Sequence, residues 1–273
     1  MKTNGESPAA KRAEVEGHSV SYFSQRRGPE SIVFVHGYGA SKDTFLEAFG
    51  IQGFQSFSML ATDLIGFGDS GKPSNFSYLL REQAEILKKA IDLVGFDRFH
   101  LVAHSMGGII GIELGEIIPN RLRSFINVEG NITAEDCTMS KRVAKMGERY
   151  FAQEGFEELK HSISAEAEKA QSTPLKEYVA SLSKATPESL YRSSVSTVFE
   201  SCHGDLLTRF ARLPLNKCYI YGEKNRGLFP AESMLRREEI PLFYVSNGGH
   251  SMMKENPKEF YNLILMIIRQ SSS

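Results

Sequence analysis

Ser105 has the sequence setting of a nucleophile. It lies at the centre of AHSMG (103–107), between a short apolar run and a segment of helical character. A serine on a strand-to-helix turn holds its hydroxyl above the strand ends, where the N-terminus of the following helix favours negative charge. The turn needs small residues two positions before and after the serine. Gly107 meets this need, and Ala103 is a tolerable departure from glycine. We predict that Ser105 is a nucleophile, with a structural turn serine as the alternative.

His250 is the base that we predict for Ser105. It lies in NGGHS (247–251), on a glycine-rich loop between the last predicted strand and the last predicted helix. From such a loop an imidazole can reach over the sheet to the place where a base must accept the serine proton. His36 and His104 are interpreted as structural residues.

The HGYG loop (36–39) follows an earlier apolar run and is predicted to supply electrostatic stabilisation. Its glycines allow a sharp turn that directs backbone N–H groups inward. We predict that the backbone N–H groups of Tyr38 and Met106 together form an oxyanion hole.

Glu129 follows an apolar run at 124–128, so its carboxylate lies at the mouth of a predicted buried strand. A buried carboxylate is costly unless it is paired, and a histidine would pair it. The alternative is that Glu129 is simply the polar end of a strand.

The elements that must position these residues alternate between strands and helices. Short β-branched or aromatic runs that end at turn residues predict strands. Helical periodicity is found at 77–94, from 105 to about 118 and at 257–269, and a charged helical block without a convincing strand covers about 133–207. Such alternation predicts an α/β fold with a parallel sheet and helices on both faces. The predicted strands are 18–23, 31–35, 57–62, 99–103, 124–128, 217–221 and 241–245.

Composition restricts the possible partners. The net charge is −1, which gives no electrostatic reason to bind nucleic acid or anionic lipid. The three cysteines are widely spaced, so neither a disulfide framework nor a zinc site is expected. The first residues are polar and lack a signal-peptide apolar region, and no apolar run approaches the roughly 18–20 residues that span a bilayer. We expect a cytoplasmic protein that does not bind membranes, whose oligomeric state the sequence leaves open.

Four motifs in this order resemble the α/β-hydrolase family over nearly the whole chain from about residue 16: HGYG, DLIGFGDSGKP, AHSMGG and GGHS. The resemblance implies a mostly parallel eight-stranded sheet, a Ser–acid–His triad and a helical cap inserted after the sixth strand. It implies a core of 1–132 and 209–273, with 1–14 as a flexible tail, and a cap of 133–208. Asp63 and Asp69 are expected to hold their loop together without reacting.

The triad acid is the point at which this chain departs from the family pattern. The family most often carries an aspartate after the seventh strand, where this chain has Asn225. An amide can hold an imidazole but cannot offset the charge of an imidazolium. Some relatives, including a group of haloalkane dehalogenases, place the acid after the sixth strand, and Glu129 lies there. We predict Glu129 as the acid, with Glu223 as the alternative carboxylate.

The predicted activity is cleavage of a small carboxylic ester through an acyl-enzyme, with no metal and no organic cofactor. Thioester, amide, lactone and carbon–carbon bond hydrolysis use the same residues and remain alternatives, as does a ligand-binding protein with slow turnover, which Asn225 keeps open. The expected partner is a small molecule with an apolar acyl or alcohol part. The pocket is expected to be lined by aromatic residues of the cap: Phe151, Phe156, Tyr178, Tyr191 and Phe199.

Overall fold

The computed structural model describes residues 8–271 and contains one eight-stranded sheet in the order β1-β2-β4-β3-β5-β6-β7-β8. β1 pairs antiparallel with β2, and β2 pairs antiparallel with β4, whereas all other neighbours are parallel. This confirms the predicted mostly parallel α/β sheet. The strands are β1 Lys11–Val15, β2 His18–Gln25, β3 Glu30–Val35, β4 Phe57–Thr62, β5 Phe99–His104, β6 Leu122–Val128, β7 Asn216–Gly222 and β8 Leu242–Val245.

The prediction of a flexible tail over 1–14 is wrong for its last part, and residues 1–7 lie outside the described residues. Lys11–Val15 forms an edge strand that is joined to β2 by a two-residue turn, in which Glu16 and Gly17 have φ of 51° and 78°. Such positive φ values suit the tight turns of hairpins. The strand was missed because its side chains are mostly exposed and polar, which is typical of a protected sheet edge.

Helices lie on both faces of the sheet because the central strands bury alternate side chains on opposite sides. In β3, Val33 and Val35 belong to one apolar cluster, while Ile32 and Phe34 belong to another. The first cluster includes α1 and α2, and the second includes α11. The helices outside the β6–β7 connection are α1 Leu80–Val94, α2 Met106–Ile117, α9 Pro230–Arg237, α10 Met252–Glu255 and α11 Pro257–Ser271. The 3₁₀ helices are Lys42–Gly50, Gln52–Phe54, Pro119–Arg121, Ala134–Asp136 and Glu223–Asn225.

The connection between β6 and β7 is helical and is called here the helical insertion. Its apolar residues, among them Phe151, Leu182 and Leu190, belong to the same cluster as α1 and α2. The predicted cap ends at residue 208, which lies inside α8 (Leu206–Arg212), so this helix crosses the predicted boundary. The division into core and cap stays a prediction. The insertion consists of α3 Met139–Ala144, α4 Glu148–Tyr150, a π-helical turn Phe151–Gly155, α5 Phe156–Lys169, α6 Thr173–Leu182, α7 Pro187–His203 and α8 Leu206–Arg212.

Two helices of the insertion, α6 and α7, have strong start signals. The Ser172 hydroxyl accepts the Leu175 N–H before α6, and Thr186 forms a reciprocal capping box with Ser189 before α7. Each helix also has a proline in its first turn, where the missing N–H costs nothing. These signals fix where α6 and α7 begin. No helix within residues 8–271 combines the length and the apolar character needed to cross a membrane.

Candidate active site

Ser105 lies between the end of β5 and the start of α2 in a strained backbone conformation, with φ 54° and ψ −127°. Positive φ in a non-glycine residue costs about 1–3 kcal/mol and persists only where the surroundings impose it. Here the Ser105 N–H donates to the Val128 carbonyl at 3.0 Å, and the Ser105 carbonyl accepts the Gly108 N–H at 2.7 Å. The sequence therefore produces the sharp turn that was predicted for this serine.

Glycine is required where the HGYG loop touches this turn. A Cβ at Gly37 would lie 2.8 Å from Ser105 Cβ, and a Cβ at Gly107 would lie 2.6 Å from the His36 carbonyl oxygen. Both distances are shorter than carbon atoms tolerate. The two glycines thus let the HGYG loop lie directly beside Ser105.

The predicted oxyanion-hole residues lie close to Ser105. Tyr38, Met106 and Ser105 all line one cavity, which is described below. Within the part of the chain that the structure describes, neither backbone N–H donates to another group. Two free donors near a serine at a helix N-terminus are suited to bind a developing negative charge.

Glu129 contacts His250, and this joins the predicted acid to the predicted base. The distance between His250 Nδ1 and Glu129 Oε2 is 2.8 Å. Glu129 is 8% exposed and has a φ of 42°, so a second strained residue directs a side chain at this site. The carboxylate also accepts the Gly222 N–H from the end of β7, at 2.8 Å.

Asn225 occupies the family's usual acid position and binds Glu129. Its Nδ2 group lies 3.0 Å from Glu129 Oε1 and 2.8 Å from Oε2, so the amide donates to both oxygens. The alternative acid, Glu223, is exposed and accepts the Asn247 backbone N–H at 3.1 Å. Sequence reasoning missed this role of Asn225, and the signal available was an amide at the position where the family has a carboxylate.

Glu129 also sets the protonation behaviour of His250. Burial lowers the pKa of His250, but the hydrogen bond to Glu129 and the charge of that carboxylate outweigh it, so the pKa is raised above its usual value. About half of the imidazole surface, 54%, is accessible. No hydrogen bond joins the Ser105 hydroxyl to His250 within residues 8–271, but both side chains line one cavity.

His36 and His104 are structural, as interpreted from the sequence. His104 Nε2 lies 2.8 Å from the His250 carbonyl oxygen, which fixes the backbone beneath the base. His36 Nε2 accepts the Leu64 N–H at 3.0 Å and so joins the HGYG loop to the DLIGFGDSGKP loop (63–73). Burial lowers the pKa of both histidines, which keeps their rings neutral and suited to these roles.

The DLIGFGDSGKP loop is held by ion pairs to the buried Lys42 side chain. Lys42 Nζ lies 2.9 Å from Asp63 Oδ2 and 2.7 Å from Asp69 Oδ2, and the Lys42 side chain is 1% exposed. Asp63 also accepts the backbone N–H groups of Lys42 and Asp69. Both aspartates therefore hold this loop, in agreement with the expectation that they stabilise it.

A cavity of about 730 Å³ contains the predicted site residues. Ser105, Glu129 and His250 line it, and α3, α5 and α6 of the helical insertion complete its wall. Of the five aromatic residues expected to line it, only Tyr178 does. Phe151 and Phe156 are buried in the core, and Phe199 is 61% exposed. The other aromatic residues of the lining come from outside the insertion and are Tyr38, Tyr219, Tyr221 and Phe229. Aliphatic and sulfur-containing side chains complete the apolar part of the lining: Leu46, Met139, Ile163, Leu175, Leu228 and Met253.

The sequence matches a family model described as the alpha/beta hydrolase fold over residues 30–253. Two curated relatives are the probable lysophospholipases BODYGUARD 1 and BODYGUARD 5 of Arabidopsis thaliana. The first is 32% identical over 107 residues, which is 37% of this chain and 23% of the relative. The second is 36% identical over 118 residues, which is 40% and 26%. The chain thus covers about a quarter of the length of these relatives.

Two solved structures resemble the whole chain. An N-acyl homoserine lactonase, AidH, has a TM-score of 0.77 and 16% identity, and the match covers 97% of this chain and 98% of that protein. A thermophilic esterase from Thermogutta terrifontis also has a TM-score of 0.77, with 17% identity and coverage of 97% and 100%. At such low identity the two structures share the fold with this chain.

Proposed function

Because this chain belongs to the α/β-hydrolase fold family, we propose that it is a serine hydrolase that cleaves small carboxylic esters through an acyl-enzyme. The observation that carries the proposal is the 2.8 Å contact between His250 and Glu129 in a cavity that Ser105 also lines. A serine, an imidazole and a carboxylate in these positions have the roles of nucleophile, general base and orienting group.

The first half-reaction forms the acyl-enzyme. Ser105 Oγ attacks the ester carbonyl carbon while His250 Nε2 accepts the hydroxyl proton, so His250 becomes an imidazolium beside the Glu129 carboxylate. The carbonyl oxygen gains the negative charge, and the N–H groups of Tyr38 and Met106 stabilise it. Collapse of the tetrahedral intermediate breaks the bond to the alcohol oxygen, and that oxygen receives the proton from His250.

The second half-reaction releases the acid. His250 accepts a proton from water, the resulting hydroxide attacks the acyl carbon, and the intermediate expels Ser105 Oγ, which regains the proton from His250. Glu129 stays ionised throughout, holds the Nδ1–H tautomer and offsets the imidazolium charge. The mostly apolar lining favours a substrate with an apolar acyl or alcohol part. Helices of the insertion act as a cap over Ser105 in this proposal.

The names of the relatives favour ester chemistry. They include probable lysophospholipases, an esterase and a lactonase, and all three names describe cleavage of carboxylic esters, cyclic in the last case. Thioester, amide and carbon–carbon bond hydrolysis would use the same residues. Binding with slow turnover is less favoured, since Asn225 supports the Glu129 carboxylate and does not replace it.

A fluorophosphonate probe and a substrate panel test the proposal. We expect the probe to label the native protein and Ser74→Ala, a control at an exposed serine, and to leave Ser105→Ala unlabelled. p-Nitrophenyl esters of increasing chain length, a lactone, a thioester and an anilide would then rank the bond types. Labelling or full esterase activity in Ser105→Ala would refute the serine-hydrolase assignment. Labelling at Ser105 without turnover of any substrate would favour the ligand-binding alternative.

A further inference from the structure

Tyr38 is tied to two helices of the insertion by its backbone and its side chain. The Tyr178 hydroxyl, on α6, donates to the Tyr38 carbonyl at 3.1 Å. The Tyr38 hydroxyl donates to the Leu190 carbonyl, on α7, also at 3.1 Å. Tyr38, a predicted oxyanion-hole residue that lines the cavity, is therefore held by two helices of the insertion.

Side-chain packing reinforces these hydrogen bonds. A Cβ at Gly39 would lie 2.7 Å from Leu182 Cδ1 and 2.8 Å from the Tyr178 hydroxyl, so α6 lies directly against the HGYG loop. Gly39 also has a φ of 66°, which most residues avoid. The loop conformation and the position of α6 thus depend on the same glycine.

Both phenols remain hydrogen-bond donors over the working pH range. Burial raises the pKa of Tyr38 and of Tyr178 well above the usual tyrosine value. The Tyr178 hydroxyl also lies 3.2 Å from Met139 Sδ, a weak acceptor, so the Tyr38 carbonyl is its principal partner. Neither tie should therefore titrate near neutral pH.

The ion pairs at α6 and just after it are partly exposed. On α6, Glu177 pairs with Lys254 at 3.2 Å, and Lys184, two residues after the helix, pairs with Asp69 at 3.3 Å and Asp43 at 3.5 Å. Partly exposed ion pairs contribute little because solvent screens them. The Tyr178 hydroxyl, by contrast, reaches the backbone of the HGYG loop.

We propose that Tyr178 is a positioning residue that holds the backbone of Tyr38 for oxyanion binding and so makes catalysis depend on the position of α6. This inference rests on the proposed serine-hydrolase function. The Tyr38 carbonyl lies in the peptide plane that follows the one carrying the Tyr38 N–H, and the two planes are joined at the Cα atom of residue 38. Removing the Tyr178 hydroxyl frees that carbonyl, so the φ and ψ angles of residue 38 can change and misdirect its N–H. The oxyanion forms only after attack, so the loss should appear in kcat.

Tyr178→Phe tests the proposal, since it removes one hydroxyl and keeps the ring. We expect kcat on a p-nitrophenyl ester to fall on the order of tenfold, less than the roughly 10²–10³ lost with a whole oxyanion donor. KM should change by less than about threefold. An alkyl boronic acid, which forms a tetrahedral adduct with the serine, should lose affinity by the same factor as kcat/KM. The pH profile should not shift, because the His250–Glu129 contact is untouched.

Tyr150→Phe is the matched control, since it removes a phenol hydroxyl on the exposed side of the insertion. It should leave kcat and boronate affinity unchanged. Tyr38→Phe cuts the tie to Leu190 and should lower kcat in the same way. Because both hydrogen bonds hold the same residue, the loss of kcat in the Tyr178→Phe/Tyr38→Phe double variant should be smaller than the product of the two single-variant losses. If Tyr178→Phe does not fold by circular dichroism, Tyr38→Phe decides the test.

Unchanged kcat and boronate affinity in a folded Tyr178→Phe would overturn the inference. So would a loss confined to KM, which would indicate direct contact between Tyr178 and substrate. Either result can be separated from failure of the proposed function, because Ser105→Ala would still abolish activity. Retained activity in Ser105→Ala would instead refute the hydrolase assignment itself.

Discussion

Glu129→Gln is the most informative substitution, because within residues 8–271 three hydrogen-bond donors bind this carboxylate. Oε1 accepts the Gly222 N–H at 2.8 Å and Asn225 Nδ2 at 3.0 Å, and Oε2 accepts Asn225 Nδ2 and His250 Nδ1, each at 2.8 Å. Glutamine offers one oxygen and one NH₂ group in place of these two oxygens. In one orientation the NH₂ faces the fixed Gly222 N–H, and in the other it faces His250 Nδ1.

Both orientations impair the site. The first leaves a buried donor without a partner, which costs about 1–3 kcal/mol of stability. The second favours the imidazole tautomer that carries its proton on Nε2, which cannot accept the Ser105 proton. In either orientation the imidazolium of the proposed mechanism loses its counter-charge. We expect kcat to fall by at least about 10³, near the roughly 10⁴ seen when a triad acid is neutralised, with KM little changed.

Steady-state kinetics of one p-nitrophenyl ester across pH would measure both effects. A neutral His250 is required for attack, so kcat/KM rises as pH increases through the pKa of that residue. Burial lowers this pKa and Glu129 raises it, so without the Glu129 charge the lowering effect of burial is opposed only by the smaller effects of the Glu255 and Asp136 charges. The low-pH limb of the kcat/KM profile should therefore move to lower pH in Glu129→Gln. Activity within tenfold of the native protein and an unmoved limb would refute Glu129 as the acid.

The remaining predictions concern the support around the triad. Asn225→Asp places a second carboxylate against the triad acid, where repulsion of about 4 kcal/mol at 4 Å should lower kcat on the same ester by at least about tenfold; unchanged kcat would contradict this. Glu223→Gln should keep kcat within about tenfold of the native value, because within residues 8–271 the hydrogen-bond partner of the Glu223 carboxylate is a loop N–H. A collapse of kcat would assign the acid to that residue. Lys42→Met leaves Asp63 buried without its ammonium partner and should lower the free energy of unfolding in urea by about 3–5 kcal/mol. Lys89→Met, at an exposed ion pair, should lower it by about 1 kcal/mol or less. Equal losses would contradict the role given to burial.

The sequence predicted the central strands well because those strands are buried on both faces. The predicted run at 57–62 coincides with β4, and the runs at 31–35 and 99–103 each fall one residue short of β3 and β5. β1 was missed because a charged edge strand lacks the apolar signal that marks a buried one. The aromatic residues of the insertion were misplaced because helical spacing does not reveal which face of a helix meets a cavity.

The same limit applies to the site. Two arguments favoured Glu129: the resemblance to relatives that place the acid after the sixth strand, and the cost of burying an unpaired carboxylate. The contact with His250 agrees with that prediction. The sequence alone predicts little effect from Asn225→Asp, since that change restores the residue usual in the family. The two hydrogen bonds from Asn225 to Glu129 reverse the expectation.

Asn225 and Glu129 are best understood as one unit. With Glu129, directly after β6, as the proposed acid, a carboxylate after β7 would place two negative charges in contact, so the position after β7 needs a neutral donor. Asparagine supplies that donor and still reaches both carboxylate oxygens. The amide and the acid should therefore be exchanged together: an aspartate at 225 should raise activity only when residue 129 is no longer charged. Activity of the Glu129→Gln/Asn225→Asp double variant above that of Glu129→Gln alone would support this coupling, whereas activity equal to or below it would show that β6 alone can carry the acid.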